Sequence, residues 1–496
     1  MKYVTCAQGS RELDRLLIDK VGIPGVVLME EAALAVAQKL KDADSVLILC
    51  GTGNNGGDGF ALLRILAMRG QTANAVLIGD PEKIKGDAKI NYEIAQNMKL
   101  PICVVSDING FNACLHKMRY SHIADALFGT GISRDITGLY ADVINAVNSY
   151  DAVKIAIDMP SGVSSDDGRI CSVCIRADET VTFQTLKRGL LLYPGYEAAG
   201  KITVAPIAPE YGEAAEFVLE KDDIKELLPK RRKNSHKGTY GKLLIIAACD
   251  KYAGAGILST RSALKSGAGM IRLVSEKRAS NAVLCVMPEI MTHDSNSFSD
   301  LDLATLKEYI AWCDAIAIGM GLGTDNTDDI IRTVLSSGKS VLLDADALNR
   351  ISEDDTLMSM LNANCIITPH PGELSRLMKC RADDIIKNPV YYAVEFAREH
   401  GVNVLLKGAT SIIADTQGRV CYNLRGSSAL AKGGSGDMLS GVISSLMVQG
   451  LTPFDAACVG AYINGCAAEE ISCPERCSES KDITDALGHV FEDLDS

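Results

Sequence analysis

At 496 residues the chain is long for one hydrophobic core, and its length fits two or three domains. Hydrophobic residues make up 47% and charged residues 23%, which excludes a disordered chain, while 63 Asp and Glu against 50 Lys and Arg leave a net charge of -13. That acidic balance argues against nucleic acid or an anionic membrane as the main partner, although backbone amides can still bind a phosphate-bearing ligand locally.

The opening MKYVTCAQGSRELDRLLIDK has no apolar stretch behind a basic flank, and no uncharged run approaches bilayer-crossing length, so a cytoplasmic protein is expected. The helical segment GVVLMEEAALAVAQKL comes next. From there the β-rich runs SVLILC, TANAVLI, ICVV, HIADALF and VKIAID alternate with helix-like segments such as GFALLRILAMRG and AKINYEIAQNM. Near-continuous apolar strands separated by amphipathic helices predict a parallel sheet covered on both faces. This unit fades after GKITVAPIAPEYGEAAE. Between 208 and 240 the chain is charged and punctuated by Pro and Gly, densest at LLPKRRKNSHKGTYG, which places the boundary near 215 and the domains at 1–215 and 216–496. KRRK reads as the solvated face of a connector, with a phosphate-steering patch as the alternative.

A second alternation runs through GKLLIIAAC, MIRLVS, DAIAIG, SVLLDADAL, CIITPH and VNVLLKG, and TSIIADTQGRVCYN predicts a hairpin turning at Gln417 and Gly418. Two helices, GDMLSGVISSLMVQG and FDAACVGAYINGCAAEE, are expected to close this domain, with the polar last twenty or so residues less ordered. The halves show no mutual repeat, so two different α/β domains are fused. Cys171 and Cys174 form one C-x-x-C with no second pair at zinc-ribbon distance, which is half a structural site; reduced, mostly buried thiols are the expectation.

GTGNNGGDGF, residues 51–60, follows an apolar strand and satisfies G-x-G-x-x-G through Gly51, Gly53 and Gly56. Two features count against a dehydrogenase loop: a long helix precedes its strand, and Asn54, Asn55 and Asp58 stand where such loops mainly need small residues. Gly53, Gly56 and Gly57 would let backbone amides approach a phosphate at the helix N-terminus, and the Asn and Asp oxygens suit a hard cation or ligand hydroxyls. ADALFGTGISRDITG adds Asp125 and a glycine-bracketed loop at 129–135, and IDMPSG adds Asp158 and Ser161. Each could be a cap or turn residue, but C-terminal strand ends of a parallel sheet converge on one crevice.

GTGNNGGDG, DALFGTG and IDMPSG, in this order and spacing, resemble NAD(P)H-hydrate epimerases over roughly residues 1 to 210. Those proteins interconvert the C6 epimers of hydrated NADH and NADPH. The resemblance implies a Rossmann-like doubly wound sheet whose Asn54, Asn55, Gly56, Gly57 and Asp58 contact the hydrated dinucleotide, together with Gly129, Thr130, Gly131, Ile132, Ser133, Arg134 and Asp135. It also implies potassium at Asn55, Asp125 and Ser161, and Asp158 as a substrate-contacting general acid/base near the C6 hydroxyl.

In the second half, ALAKGGSGDMLSGV leads a Gly-rich turn into a helix with Asp437 in its first turn. Free amides at Gly434 to Gly436 would form an anion hole, and Asp437 can take a proton from a hydroxyl beside it; an N-capping Asp is the plainer alternative. Lys407 in LLKGATS is a point charge suited to phosphate, TPHPGE places His370 and Glu373 at another strand end, and GMGLGTD adds a glycine turn at 319–323. With YAGAGILSTRSALKSGAGM and LLDADALN, these motifs resemble the ribokinase-like superfamily. More particularly they resemble ADP/ATP-dependent NAD(P)H-hydrate dehydratases, over roughly residues 225 to 490.

That likeness implies a ribokinase-like α/β domain in which Ala253, Gly321, His370 and Asp437 contact the hydrated nicotinamide nucleotide. Lys407, Gly408, Ala409, Thr410, Ser411 and Gly436 would hold the adenine nucleotide, with Mg²⁺ and with ADP rather than ATP as donor in a fused chain. Ser435 stands where Thr is common and Met320 where Pro is common, departures that leave the chemistry in place. The two resemblances imply a bifunctional repair enzyme acting on hydrated NADH and NADPH, and a homo-oligomer is expected. A ribokinase-like small-molecule kinase with a regulatory nucleotide-binding N-terminal domain is the rival, separable by its phosphorylated product. A nucleotide-sensing scaffold with decayed sites is opposed by retention of every acid named.

Overall fold

The computed structural model describes residues 1–209, 215–323 and 326–496, and the chain divides into two compact units, Lys2–Ala214 and Ala215–Ser496. Residues 210–214, beside the predicted boundary, lie outside the described residues.

The N-terminal unit holds β1 (Lys2–Thr5), β2 (Ser45–Cys50), β3 (Thr72–Ile78), β4 (Ile102–Val105), β5 (His122–Ala126), β6 (Val153–Ile157), β7 (Glu179–Phe183), β8 (Leu186–Lys187) and β9 (Lys201–Ala205). Seven of these form a parallel sheet in the order β4-β3-β2-β5-β6-β7-β9, and β1 pairs in parallel with β8. Strand β2 shows why its sequence is apolar throughout. Val46, Ile48 and Cys50 pack with the helices Gly25–Lys39, Asn54–Met68 and Gly86–Asn97, whereas Leu47 and Leu49 pack with Ile108–Leu115 and Leu139–Ser149. Each such fully buried aliphatic side chain stabilises the fold by roughly 1.5–3 kcal/mol relative to exposure. The chain builds outward from β2 to β4 and then returns to place β5 on the other side of β2, so a crevice opens at the C-terminal ends of β2 and β5.

The C-terminal unit holds β10 (Glu216–Val218), β11 (Lys242–Ile246), β12 (Met270–Glu276), β13 (Met291–Ser295), β14 (Ala315–Ile318), β15 (Ser340–Leu343), β16 (Cys365–Ile367), β17 (Asn403–Leu406), β18 (Ser411–Ala414) and β19 (Val420–Asn423). Their order is β13-β12-β11-β14-β15-β16-β17-β18-β19-β10, with β18 antiparallel to both neighbours. The order again reverses, here between β11 and β14. The predicted hairpin is present: Gly418 takes φ +85°, and the Asp415 carboxylate accepts the Gln417 and Arg419 N–H groups.

The chain's end corrects one expectation. Ser480–Asp495 is a helix, and Ile483, Leu487, Val490 and Leu494 are buried along one face at helical spacing. The sixteen cysteines are free thiols, and among the described residues no cluster of three or more His, Cys, Asp or Glu is placed to hold a metal. Among the described residues no helix is long and apolar enough to cross a membrane.

Two candidate active sites

In the N-terminal unit the strand ends open on a cavity of about 970 Å³. Asn54, Asn55, Asp58, the whole 129–135 loop and Asp158 line it, as do Arg11, Asp14 and Lys187. The glycine loop is built for packing more than for ligand approach. A Cβ on Gly56 would lie 1.9 Å from the Gly51 carbonyl oxygen, and one on Gly57 would lie 2.7 Å from Cα of Ala88. Gly56 and Gly57 therefore let the helix Asn54–Met68 start directly against the sheet, and they do not line the cavity. Gly53, with open space where its Cβ would be, is the glycine of the three that a phosphate could approach.

Asp125, next to last in β5, has 1% exposure and accepts the Ser161 N–H at 2.7 Å, the Ser161 hydroxyl at 2.6 Å and the Leu127 N–H at 3.2 Å. Burial raises its carboxyl to about 6 in spite of those bonds. Among the described residues no cation is paired with it. Asn55 is also buried, and its side-chain nitrogen has no partner among the described residues. Gly129 sits between two predicted residues: a Cβ there would lie 3.4 Å from Asn55 Cγ and 3.4 Å from Asp158 Oδ2.

Asp158 follows β6 at φ +68°, a strained setting for a residue other than glycine, and its N–H donates to the Val181 carbonyl at 2.8 Å. Its Oδ1 receives the Lys187 ammonium at 2.9 Å and the Thr182 hydroxyl at 3.1 Å. Asp58 has its carboxyl lifted well above the usual range by burial, with the charges of Asp158 and Asp14 adding to it. Sequence reasoning missed Lys187, Thr182 and Asp14. The available signal was a lysine set between the apolar runs VTF and GLLL.

In the C-terminal unit the predicted residues again come from successive strand ends. Gly321, after β14, has φ +59°, and a Cβ there would lie 2.7 Å from Cβ of Tyr252, so glycine is required where this turn meets the residue before Ala253. The helix Ser435–Val448 begins after Gly434 at φ +93°, and the first-turn amides of Gly436 and Asp437 have no acceptor among the described residues. These free amides are ready for an anion. A Cβ on Gly436 would lie 3.4 Å from the Lys407 ammonium and 3.6 Å from Asp344 Oδ2.

Lys407 is not a free point charge. Its ammonium lies 2.9 Å from Asp344 Oδ1 and 3.8 Å from Glu373 Oε2, while Asp344 Oδ2 accepts the Ser440 hydroxyl at 2.8 Å. Asp344 is buried, which opposes ionisation, yet Lys407 and the hydrogen bonds from Lys407, Ser440 and Thr368 hold its carboxyl below the usual value. Asp437 goes the other way: burial first, then the charge of Asp344, raise its carboxyl to about 7, with Lys407 opposing. Asp344 was passed over in the sequence, although an acid closing the apolar run SVLL was its visible sign.

His370 caps the helix Pro371–Leu377. Its Nδ1 accepts the Gly372 and Glu373 N–H groups at 3.0 and 3.3 Å, and Glu373 Oε2 accepts the His370 N–H at 2.8 Å. With Nδ1 an acceptor, the ring proton sits on Nε2. Lys407 to Thr410 form the short connection from β17 into β18, and Ser411 opens β18.

Residues 243–487 match the family model described as NAD(P)H-hydrate dehydratase, and residues 25–189 match the one described as YjeF-related protein N-terminus. A bifunctional NAD(P)H-hydrate repair enzyme of Moorella thermoacetica is 35% identical over 99% of this chain and 97% of its own length. A protein of the same description from Escherichia coli is 30% identical over 94% of this chain and 89% of its own. Among solved structures, a ribokinase-like superfamily protein from Enterococcus faecalis shares the fold, with a TM-score of 0.51 and 22% identity, covering 58% of this chain and 99% of that one. Matched along nearly its whole length by such relatives, the chain belongs to the family of bifunctional NAD(P)H-hydrate repair enzymes.

Proposed function

We propose that this chain restores NADH and NADPH from their hydrates in two reactions, with residues 1–215 interconverting the R and S epimers and residues 216–496 dehydrating the S epimer. The observation that carries this reading is that each unit sets one acid/base carboxylate at a switch-point crevice: Asp158 anchored by one oxygen, and Asp437 raised to about 7 beside free helix amides. The chemistry of dehydration follows from hydroxide being a poor leaving group. Asp437 takes the C6 hydroxyl proton as that oxygen bonds to the terminal phosphorus of the nucleotide, and the bond from this phosphorus to the remaining nucleotide breaks. The C6–O bond of the phosphate ester then breaks and the departing phosphate takes the proton from C5, which restores the ring double bond and leaves AMP and phosphate as by-products when ADP is the donor.

The Gly436 and Asp437 amides receive the transferred phosphate, Lys407 to Ser411 border the nucleotide, and Ala253, Gly321 and His370 border the hydrated ring. Mg²⁺ would supply charge neutralisation among the phosphates. Asp344 and Glu373 pair with Lys407, so the nucleotide's own phosphates would supply most of the ion's ligands. The unpaired thiols suit a reducing cytoplasm. The test is to incubate mixed epimers with protein, Mg²⁺ and nucleotide. Recovery of the dihydronicotinamide chromophore with free phosphate is expected, and a stable phosphorylated hydrate would reject the reading.

The donor is expected to be ADP, on the fused two-domain arrangement. Steady-state comparison under a nucleotide-regenerating system, to keep ADP out of ATP, should give the higher kcat/KM with ADP. A clear advantage for ATP would reverse the assignment.

Potassium at Asn55, Asp125 and Ser161 is supported by a buried carboxylate with no counter-cation among the described residues. Turning the Asn55 amide would present its carbonyl oxygen as an uncharged ligand. Because the Asp125 carboxyl is raised, its burial is tolerated at acid pH, and stability is lost as pH rises from about 4 through about 6. Potassium should restore that loss. Replacing tetramethylammonium by potassium is expected to raise the melting temperature of the N-terminal unit by several degrees at alkaline pH, little at acid pH, and not at all in Asp125→Asn. An equal rise at both pH values, or one retained by the variant, would remove potassium from this site.

A further inference from the structure

Lys187 has no part in the reaction as set out above, yet its side chain, 5% exposed, lines the cavity of the N-terminal unit. Its three N–H donors meet three acceptors: Asp158 Oδ1 at 2.9 Å, the Phe183 carbonyl at 2.7 Å and the Thr185 carbonyl at 3.3 Å. No donor is left for a phosphate, so the count argues against a ligand-binding role. The hydroxyl of Thr182 also reaches Oδ1, at 3.1 Å. Held twice by Oδ1, Asp158 keeps Oδ2 without a partner among the described residues, and Oδ2 is the oxygen that a Cβ on Gly129, a residue lining the cavity, would approach to 3.4 Å.

A second carboxylate shares the field of Lys187. Asp14, on the helix Ala7–Leu16, lines the same cavity; burial raises its carboxyl, Lys187 lowers it and Asp158 raises it. This helix is tied to the strand that carries Lys187, because β1 pairs with β8 and the Thr5 and Thr185 hydroxyl oxygens lie 2.8 Å apart. Residues 2–16 precede the family match at 25–189, so part of this wall lies outside what the family model covers.

We propose that Lys187 is a positioning residue of the epimerisation site, pinning Asp158 by Oδ1 so that Oδ2 alone meets the C6 hydroxyl of the hydrated dinucleotide. The proposal rests on assigning epimerisation to the N-terminal unit. The strained backbone of Asp158 sets the direction of its side chain, and Lys187 with Thr182 sets its rotation. The charged groups around Asp158 are Lys187 on β8, Asp58 on the helix Asn54–Met68 and Asp14 on the first helix, so Lys187 is the cation set against two further acids.

The test uses the full-length chain with Lys187→Met, Lys187→Arg and Thr182→Val, measuring epimer interconversion across pH and dehydration of purified S epimer in the same samples. Lys187→Met is expected to lower kcat for interconversion about 100-fold with KM nearly unchanged, and to move the acid limb of the pH profile upward, because an ammonium 2.9 Å from Asp158 Oδ1 is removed. Lys187→Arg should keep the acid limb, since the charge remains, but lose kcat, since a planar fork does not match the three acceptors. Thr182→Val, the milder change should Lys187→Met fail to fold, is expected to lower kcat alone. An unmoved acid limb in Lys187→Met, a loss confined to KM, or full kcat in Thr182→Val would overturn the proposal. Wild type that dehydrates the S epimer but never interconverts the two would instead reject the epimerase assignment, and the proposal with it.

Discussion

Asp437→Asn is expected to lower dehydration of the S epimer by about 10³-fold while epimer interconversion continues at the wild-type rate. The substitution keeps shape and removes the group that takes the C6 hydroxyl proton, leaving the amides of Gly436 and residue 437 in place to bind phosphate. KM for the nucleotide should therefore change little and kcat carry the loss. In wild type the carboxyl sits near 7, so dehydration should rise with pH through that value and level off above it as the base ionises. The same raised value has a stability sign. Below the ordinary aspartate value the buried carboxyl is neutral in folded and unfolded chains alike, and stability falls as pH rises through about 7 and the folded chain must hold the charge. Asp437→Asn removes that burden, so the C-terminal unit should be more stable than wild type at alkaline pH. The gain is on the order of 3 kcal/mol after allowing for partial exposure, and it should vanish at acid pH. Chemical denaturation at two pH values checks it, and an inactive variant that is also less stable at alkaline pH would mean the residue supports the fold and not the chemistry.

The parts of this fold that the sequence displays most openly are those buried on both sides. SVLILC is apolar throughout because alternate residues meet helices on opposite faces of one sheet, and no partner position leaves room for a polar residue. Where burial is met by hydrogen bonding, the pattern disappears. ETVTF is a strand paired on both sides in which Thr180 and Thr182 are fully buried, and the Thr180 hydroxyl donates to the Ala199 carbonyl. Edge positions hide in another way: MTHDS is half exposed on β13, so its composition resembles a loop. The closing helix Ser480–Asp495 was concealed by its charged face, although the 483, 487, 490, 494 spacing was there to be read.

The sites divide along similar lines. Backbone-defined features such as the Gly434–Asp437 helix start carry their own spacing in the chain, because a tight turn needs glycine at a fixed offset from the helix. The residues that tune the acids do not. Asp344 lies 63 residues before Lys407 and 96 before Ser440, and only the sheet order brings these three together. The same separation hides the setting of Lys407: a lysine beside a glycine turn invites a phosphate, and nothing nearby in the chain announces the two carboxylates that flank its ammonium. Gly56 and Gly57 teach the converse, since a glycine motif reads alike whether its missing side chains admit a ligand or a neighbouring backbone.

Asp158→Asn should abolish interconversion of the epimers, by about 10³-fold, and leave dehydration of purified S epimer unchanged. Asparagine tolerates positive φ better than most residues, so the backbone at +68° is kept, and the Thr182 hydroxyl can still donate to the amide oxygen. What is lost is the proton-accepting oxygen facing the cavity and the anionic partner of a buried lysine. Lys187 would keep the Phe183 and Thr185 carbonyls and the amide oxygen as acceptors but lose its paired carboxylate, a change that costs about 3 kcal/mol in comparable buried pairs. A lower melting temperature confined to the N-terminal unit is thus part of the expectation, and the measurement belongs well below that transition. With a mixture of epimers, ADP and Mg²⁺, the variant should recover the S fraction at the wild-type rate and then stall, leaving the R fraction to spontaneous interconversion. Adding a separately purified Asp437→Asn chain should restart recovery, because each variant keeps the half that the other lacks. Failure of that mixture to restart while both proteins are folded, or loss of both reactions in Asp158→Asn alone, would show that the two carboxylates do not serve separate sites.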